Sequence, residues 1–125
     1  MLVRTALVID PDPQSAKLVA VVLESEGWQV QVPATFVDAE RALLTGARPD
    51  VILIELMPLT SGLAFVETIK RRPATKSIPI VAVSSFNGDD VQRVIVEAGC
   101  SGYFRKPIDV TTFAADLDLM LGGKP

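Results

Sequence analysis

The sequence has no histidine and a single cysteine among its 125 residues, and both scarcities narrow what it can do. One cysteine, Cys100, forbids an intrachain disulfide and suits a reducing, cytoplasmic setting. With no imidazole to activate it, Cys100 reads as a small packed or surface residue rather than a nucleophile. Basic residues are few: 12 Lys and Arg face 15 Asp and Glu, for a formal net charge of −3. A direct nucleic-acid footprint needs clustered cations to neutralise phosphates and is not expected here. Only Lys70-Arg71-Arg72 approaches such a cluster, and it fits the solvated end of a helix, where cations oppose the negative pole of the dipole. No apolar stretch reaches the length of a membrane span, and the apolar run in MLVRTALVID is too short for a signal peptide. A glycine-rich phosphate loop is also missing. DPDP stands after the first apolar run, where a nucleotide-binding α/β protein would carry one.

What is present is apolar and periodic. With 49% hydrophobic residues the chain can bury a real core as one domain. Residues 1–121 read as that domain, and 122–125 (GGKP) as a tail or the start of a linker. Ala6-Leu7-Val8-Ile9, Val51-Ile52-Leu53-Ile54 and Ile80-Val81-Ala82-Val83 are apolar without alternation, the pattern of central strands covered on both faces. Residues 28–32 alternate and suit an edge, and 102–105 make a short last strand. Between them lie helical segments with recognisable ends. Asp12-Pro13 places a capping acid before a first-turn proline, and Gly27 closes that helix. Thr35 with Asp38 resembles a capping box for a helix through Leu44, stopped by Gly46. Ser61 is expected to cap a helix over 62–72 that Pro73 ends, and Asn87 or Asp89 to cap one through Ala98. Asp109 is expected to cap the last, with Val110, Phe113, Leu117 and Leu121 as its apolar stripe. Five strands and five helices in strict alternation make a small doubly wound α/β domain.

Four polar residues follow the predicted strands: Asp10, Glu55, Ser84 and Lys106. The strand ends of an open parallel sheet share one edge, where ligands and chemistry normally sit, so these four are expected to form one pocket.

Together with LVIDPDP, PDVILIE, MPLTSG, IPIVAVSS and AGCSGYFRKPID, these residues make the whole chain resemble a receiver domain of the response regulators of two-component signalling. The resemblance implies a flavodoxin-like, CheY-like sheet of order 2-1-3-4-5. It also implies a phosphoryl group received from a histidine kinase. In the family two acids after the first strand hold Mg²⁺ and an aspartate after the third accepts the phosphoryl group. A hydroxyl after the fourth and a lysine after the fifth contact the phosphate. Positioned metal and cations balance the charge that phosphoryl transfer spreads over oxygen.

By that resemblance Asp10 matches the first acid, Ser84 the hydroxyl, Lys106-Pro107 the lysine-proline pair and Tyr103 the aromatic switch position. Two positions depart from it. Pro11 stands where the second acid belongs, and Asp12 is better explained as a helix cap than as its replacement. Glu55 falls on the phosphoacceptor if the strand is aligned from PD; counted back from Met57-Pro58, the loop is one residue short and Ile54 takes that place. Neither is an aspartate. A glutamate is one methylene too long for a site that demands near-attack geometry, and Mg²⁺, which requires close to octahedral coordination, loses a ligand at Pro11.

The expectation is therefore a degenerate receiver: no catalytic residue and no cofactor, with Mg²⁺ bound weakly or not at all, through Asp10 and Glu55 if anywhere. Lys106 is expected to bridge Asp10 and Glu55. Partners are expected to be signalling proteins, a histidine kinase or an output protein, met by a face carrying Tyr103, Arg93, Ile95 and Arg105 beside Asp116. Two alternatives stay open. One is weak phosphoacceptance by Glu55 or Asp10, the other a small nucleotide-binding α/β protein or enzyme.

Overall fold

The three unbroken apolar runs form the middle of one parallel sheet in the computed structural model, which describes residues 3–46, 48–85, 88 and 90–122. β1 (Thr5–Ile9), β3 (Val51–Ile54) and β4 (Ile80–Ser84) are flanked by β2 (Gln29–Gln31) and β5 (Gly102–Arg105) at the edges. The strand order is β2-β1-β3-β4-β5, all parallel, as expected. Every residue of β3 and β4 is buried, whereas β2 has two of its three residues exposed.

Alternate residues of each central strand feed one of two apolar layers. Ala6, Val8, Val51, Leu53, Val81 and Val83 meet α1 (Pro13–Ser25) and α5 (Phe113–Met120), with Trp28 at the margin. Leu7, Ile9, Ile52, Ile54, Ile80 and Ala82 meet α2 (Phe36–Thr45), α3 (Leu59–Arg71) and α4 (Val91–Ala98). Each fully buried Val, Leu or Ile contributes about 1.5–3 kcal/mol relative to exposure, so both faces bind the strands into one unit.

The first two helices start where their caps say. Asp12 accepts a hydrogen bond from Gln14 N–H at 3.1 Å, and Thr35 Oγ1 accepts one from Asp38 N–H at 3.0 Å. α1 ends before Gly27, whose φ of 92° suits only a residue without Cβ.

Three expectations need correction. α3 begins at Leu59, so Ser61 lies inside its first turn and caps nothing; Pro58 holds the N-cap position at φ −64°. The first turn of α3 lies close against Leu56, whose carbonyl oxygen would lie 2.4 Å from a Cβ at Gly62. At its other end Arg72 has already turned to extended backbone, as the residue before Pro73 must.

α5 begins at Phe113 rather than beside Asp109. The Asp109 carboxylate accepts from Thr111 N–H at 2.9 Å and Thr111 Oγ1 at 2.6 Å, holding a turn in place of helix, and Val110 is left 51% exposed outside the stripe. The Lys70-Arg71-Arg72 triplet is only partly solvated. Lys70 Nζ donates to the carbonyls of Lys76 and Ile78, and Arg72 pairs with Glu40 at 3.2 Å. α4 closes on Gly99 in the left-handed region; its expected caps Asn87 and Asp89 lie outside the described residues, as do Gly123, Lys124 and Pro125 of the tail.

Candidate functional site

Register brings the four polar residues together. Ile9 pairs with Ile54 and Ser84 with Arg105, so β1 and β3, like β4 and β5, finish level. The ladder continues one residue further: Glu55 N–H donates to Ile9 C=O and Lys106 N–H to Ser84 C=O, both at 2.9 Å. Ile54 is fully buried among Ile52, Phe65 and Ile69, and the next side chain, Glu55, is the one at the strand end. Ile54 thus faces the core, and Glu55 is the side chain that reaches the polar edge.

Lys106 Nζ lies 2.6 Å from Asp10 Oδ2 and 2.9 Å from Glu55 Oε1. Ser84 Oγ donates to Glu55 Oε2, which also accepts from Met57 N–H at 3.0 Å, and Ser85 N–H approaches Oε1 at 3.4 Å. The Glu55 carboxylate thus meets an ammonium, a hydroxyl and two backbone N–H groups. Met57 and Ser85 were missed from the sequence because they contribute only backbone, which no side-chain motif encodes. The side chains of Asp10 and Glu55 are 5% and 6% exposed.

Burial opposes ionisation of Glu55, but the hydrogen bonds from Ser84, Lys106 and Met57 N–H together outweigh it and hold the carboxyl below its ordinary value. Burial likewise disfavours charge on Lys106, and the hydrogen bonds to Asp10 and Glu55 reverse that, raising the ammonium above its ordinary value. Both shifts describe a charged cluster.

The donor set does not fit Mg²⁺. Pro11 has no side-chain ligand, and Asp12 is committed to Gln14 N–H and Ser15 Oγ at the start of α1. Asp10 and Glu55 share Lys106 as their cation. Among the described residues no three His, Cys, Asp or Glu side chains are placed to hold a metal.

On the surface formed by α4, β5 and α5, Tyr103 is half-buried and its hydroxyl donates to the Ser84 carbonyl at 3.4 Å. Ser84 therefore touches both Glu55, through its hydroxyl, and Tyr103, through its backbone. Arg93 and Arg105 are exposed, Arg93 pairing with Asp90 and Glu97 at 3.3 and 3.8 Å. Ile95 does not belong to this surface: it is 3% exposed and packs toward the sheet. The next residue, Val96, is the exposed apolar group at 68%, with Leu119 of α5 at 72%. A helical face is offset by about 100° per residue, so an error of one position exchanged inside for outside. Cys100 is half-buried, and burial pushes its thiol up to about 11, in keeping with an unreactive packed residue.

A doubly wound sheet of order 2-1-3-4-5, with acids, a hydroxyl and a lysine converging at its carboxyl edge, defines a flavodoxin-like α/β domain. The family profile of the response regulator receiver domain matches residues 6–118, and the chain belongs to that family. It is 28% identical over 122 residues to the phosphate regulon transcriptional regulatory protein PhoB of Pseudomonas aeruginosa, covering 97% of this chain and 53% of that protein. It is 27% identical over 120 residues to the polar-differentiation response regulator DivK of Brucella anthropi, covering 95% of this chain and 97% of DivK. The chain thus spans about half of PhoB and nearly all of DivK. In fold it is similar to a response regulator from Thermotoga maritima, with a TM-score of 0.86 at 18% identity over 96% of this chain and 98% of that one. Receiver domains of this family interact with histidine kinases and output domains. No helix among the described residues is long and apolar enough to cross a membrane.

Proposed function

We propose that this domain is a degenerate receiver that takes part in two-component signalling as a cytoplasmic protein-interaction module, without aspartyl phosphorylation, catalysis or a resident cofactor. The observation that carries this reading is the setting of Glu55. Its carboxylate reaches Ser84, Lys106 and two backbone N–H groups, the donor types that would receive phosphate oxygens on a phosphorylated neighbour. Glu55 stands in for that anion, and Lys106 supplies the balancing cation in place of Mg²⁺. The link from Glu55 through Ser84 to Tyr103 holds the α4-β5-α5 surface near one state. Signalling proteins, a histidine kinase or an output protein, meet Tyr103, Arg93, Arg105 and Val96 there, as aromatic and arginine anchors favour. Phosphoacceptance by Glu55 or Asp10 finds less support, because both carboxylates already hold Lys106 and Pro11 adds no metal ligand. A nucleotide-binding role lacks its phosphate loop, since DPDP opens α1.

Thermal unfolding with and without millimolar Mg²⁺, and intact mass after acetyl phosphate, test this reading. The natural chain is expected to show neither stabilisation by Mg²⁺ nor a mass gain, and the Pro11→Asp, Glu55→Asp double variant is expected to gain both. One added phosphoryl group on Glu55 of the natural chain would overturn it.

A further inference from the structure

We infer that the cavity between β1–α1, β2–α2 and β3–α3 is a docking site for an arginine side chain of a protein partner. It encloses about 230 Å³ and is walled by Pro11, Pro33, Phe36, Met57 and Pro58, with Asp10 as its one charged lining residue. That volume is below the roughly 300–1,000 Å³ of pockets for drug-sized ligands and suits a single long side chain.

The charge of the site selects a cation. Asp10 and Glu55 are two acids against one ammonium, Lys106, an excess of one negative charge. Among the described residues Asp10 accepts from Asp12 N–H and Lys106 Nζ, whereas a carboxylate offers about four lone-pair positions. Its side chain is 5% exposed, recessed behind apolar walls, so the cation that reaches it needs an apolar stem. A guanidinium is planar and more weakly hydrated than an ammonium, so it tolerates an apolar wall such as the one Phe36, stacked on Phe65, helps to build. This chain's own Lys17 borders the adjoining groove past Pro11 and lies outside the cavity. The inference is separate from the role of Glu55 as a phosphate substitute and from the α4-β5-α5 surface, and it survives if either is wrong.

Amide chemical shifts of the labelled protein, titrated with Nα-acetyl-arginine amide and with its neutral isostere Nα-acetyl-citrulline amide, test it. Saturable shifts at Asp10, Phe36, Met57 and Ser61 are expected with the arginine compound and not with citrulline. Asp10→Asn is expected to weaken the arginine compound about tenfold, the equivalent of one charge-assisted hydrogen bond. Ala34→Trp fills the cavity from its exposed rim and is expected to abolish the shifts with the ion cluster intact. Equal response to citrulline, shifts that map elsewhere, or binding indifferent to both variants overturns the inference. So does a response at these amides to Mg²⁺ with the arginine compound silent.

Discussion

Both ends of the parallel sheet carry ion pairs, and water reaches them very differently. At the carboxyl end Lys106 sits between Asp10 and Glu55, whose side chains are 5% and 6% exposed. At the amino end Arg4 meets Asp118 at 2.9 Å with side chains 26% and 40% exposed, and lies 5.5 Å over the Trp28 ring. Where water can replace a lost partner, an ion pair contributes little. Where it cannot, losing one group strands the others in a poor solvent for charge. The carboxyl end therefore behaves as one unit, and the amino end as separate fasteners.

The largest expected effect breaks the buried unit. Lys106→Ala leaves Asp10 and Glu55 without their shared cation and is expected to lower unfolding stability by about 3 kcal/mol, read from urea transitions. A loss no larger than that of an Arg4→Ala variant would dissolve the contrast between the two ends.

A smaller effect sharpens the comparison through pH. The Glu55 carboxyl is held below its ordinary value, so its contribution is present above that ordinary value and is lost as pH falls through the lowered one. Lys106 is raised, so its contribution is full below the ordinary lysine value and is lost as pH rises through the raised one. Between them lies a plateau across neutral pH. Natural chain minus Glu55→Gln is expected to be about 2 kcal/mol on that plateau, shrinking as pH falls below about 4. A difference unchanged down to strongly acidic pH would mean that Glu55 does not act as a carboxylate.

These features were unequally legible in the sequence. The central strands could be read because runs such as Val51-Ile52-Leu53-Ile54, short, β-branched and without alternation, fit a sheet covered on both faces. The resemblance then supplied their order. The convergence of Asp10, Glu55, Ser84 and Lys106 followed from parallel strands ending on one edge. Glu55 against Ile54 could not be decided from spacing, because the short β3–α3 connection satisfies either count; the fold adds that Ile54 packs in the core while Glu55 N–H extends the ladder to Ile9. The starts of α3 and α5 were misread for a related reason. Ser61 and Asp109 are good cap types, but α3 begins at Leu59, ahead of Ser61, and a side-chain turn at Thr111 precedes α5. Ile95 and Val96 are equally apolar, and only the packing of α4 on the sheet tells which is buried.

The smallest expected effect lies at the exposed end. Asp118→Asn removes the acid opposite Arg4 while keeping the shape of the side chain. Arg4 keeps its contact with the Trp28 ring, and its side chain stays 26% exposed to water, so the loss is expected to stay below about 1 kcal/mol. Salt should erase even that, because exposed charges are screened within about 3 Å at 1 M ionic strength, whereas the Lys106→Ala penalty should persist at the same salt. Urea transitions of both variants at low and high salt make the check. A salt-resistant loss of 2 kcal/mol or more at Asp118, expressed on the same scale as the buried pair, would show that geometric fixation rather than exclusion of water separates the two ends of the sheet.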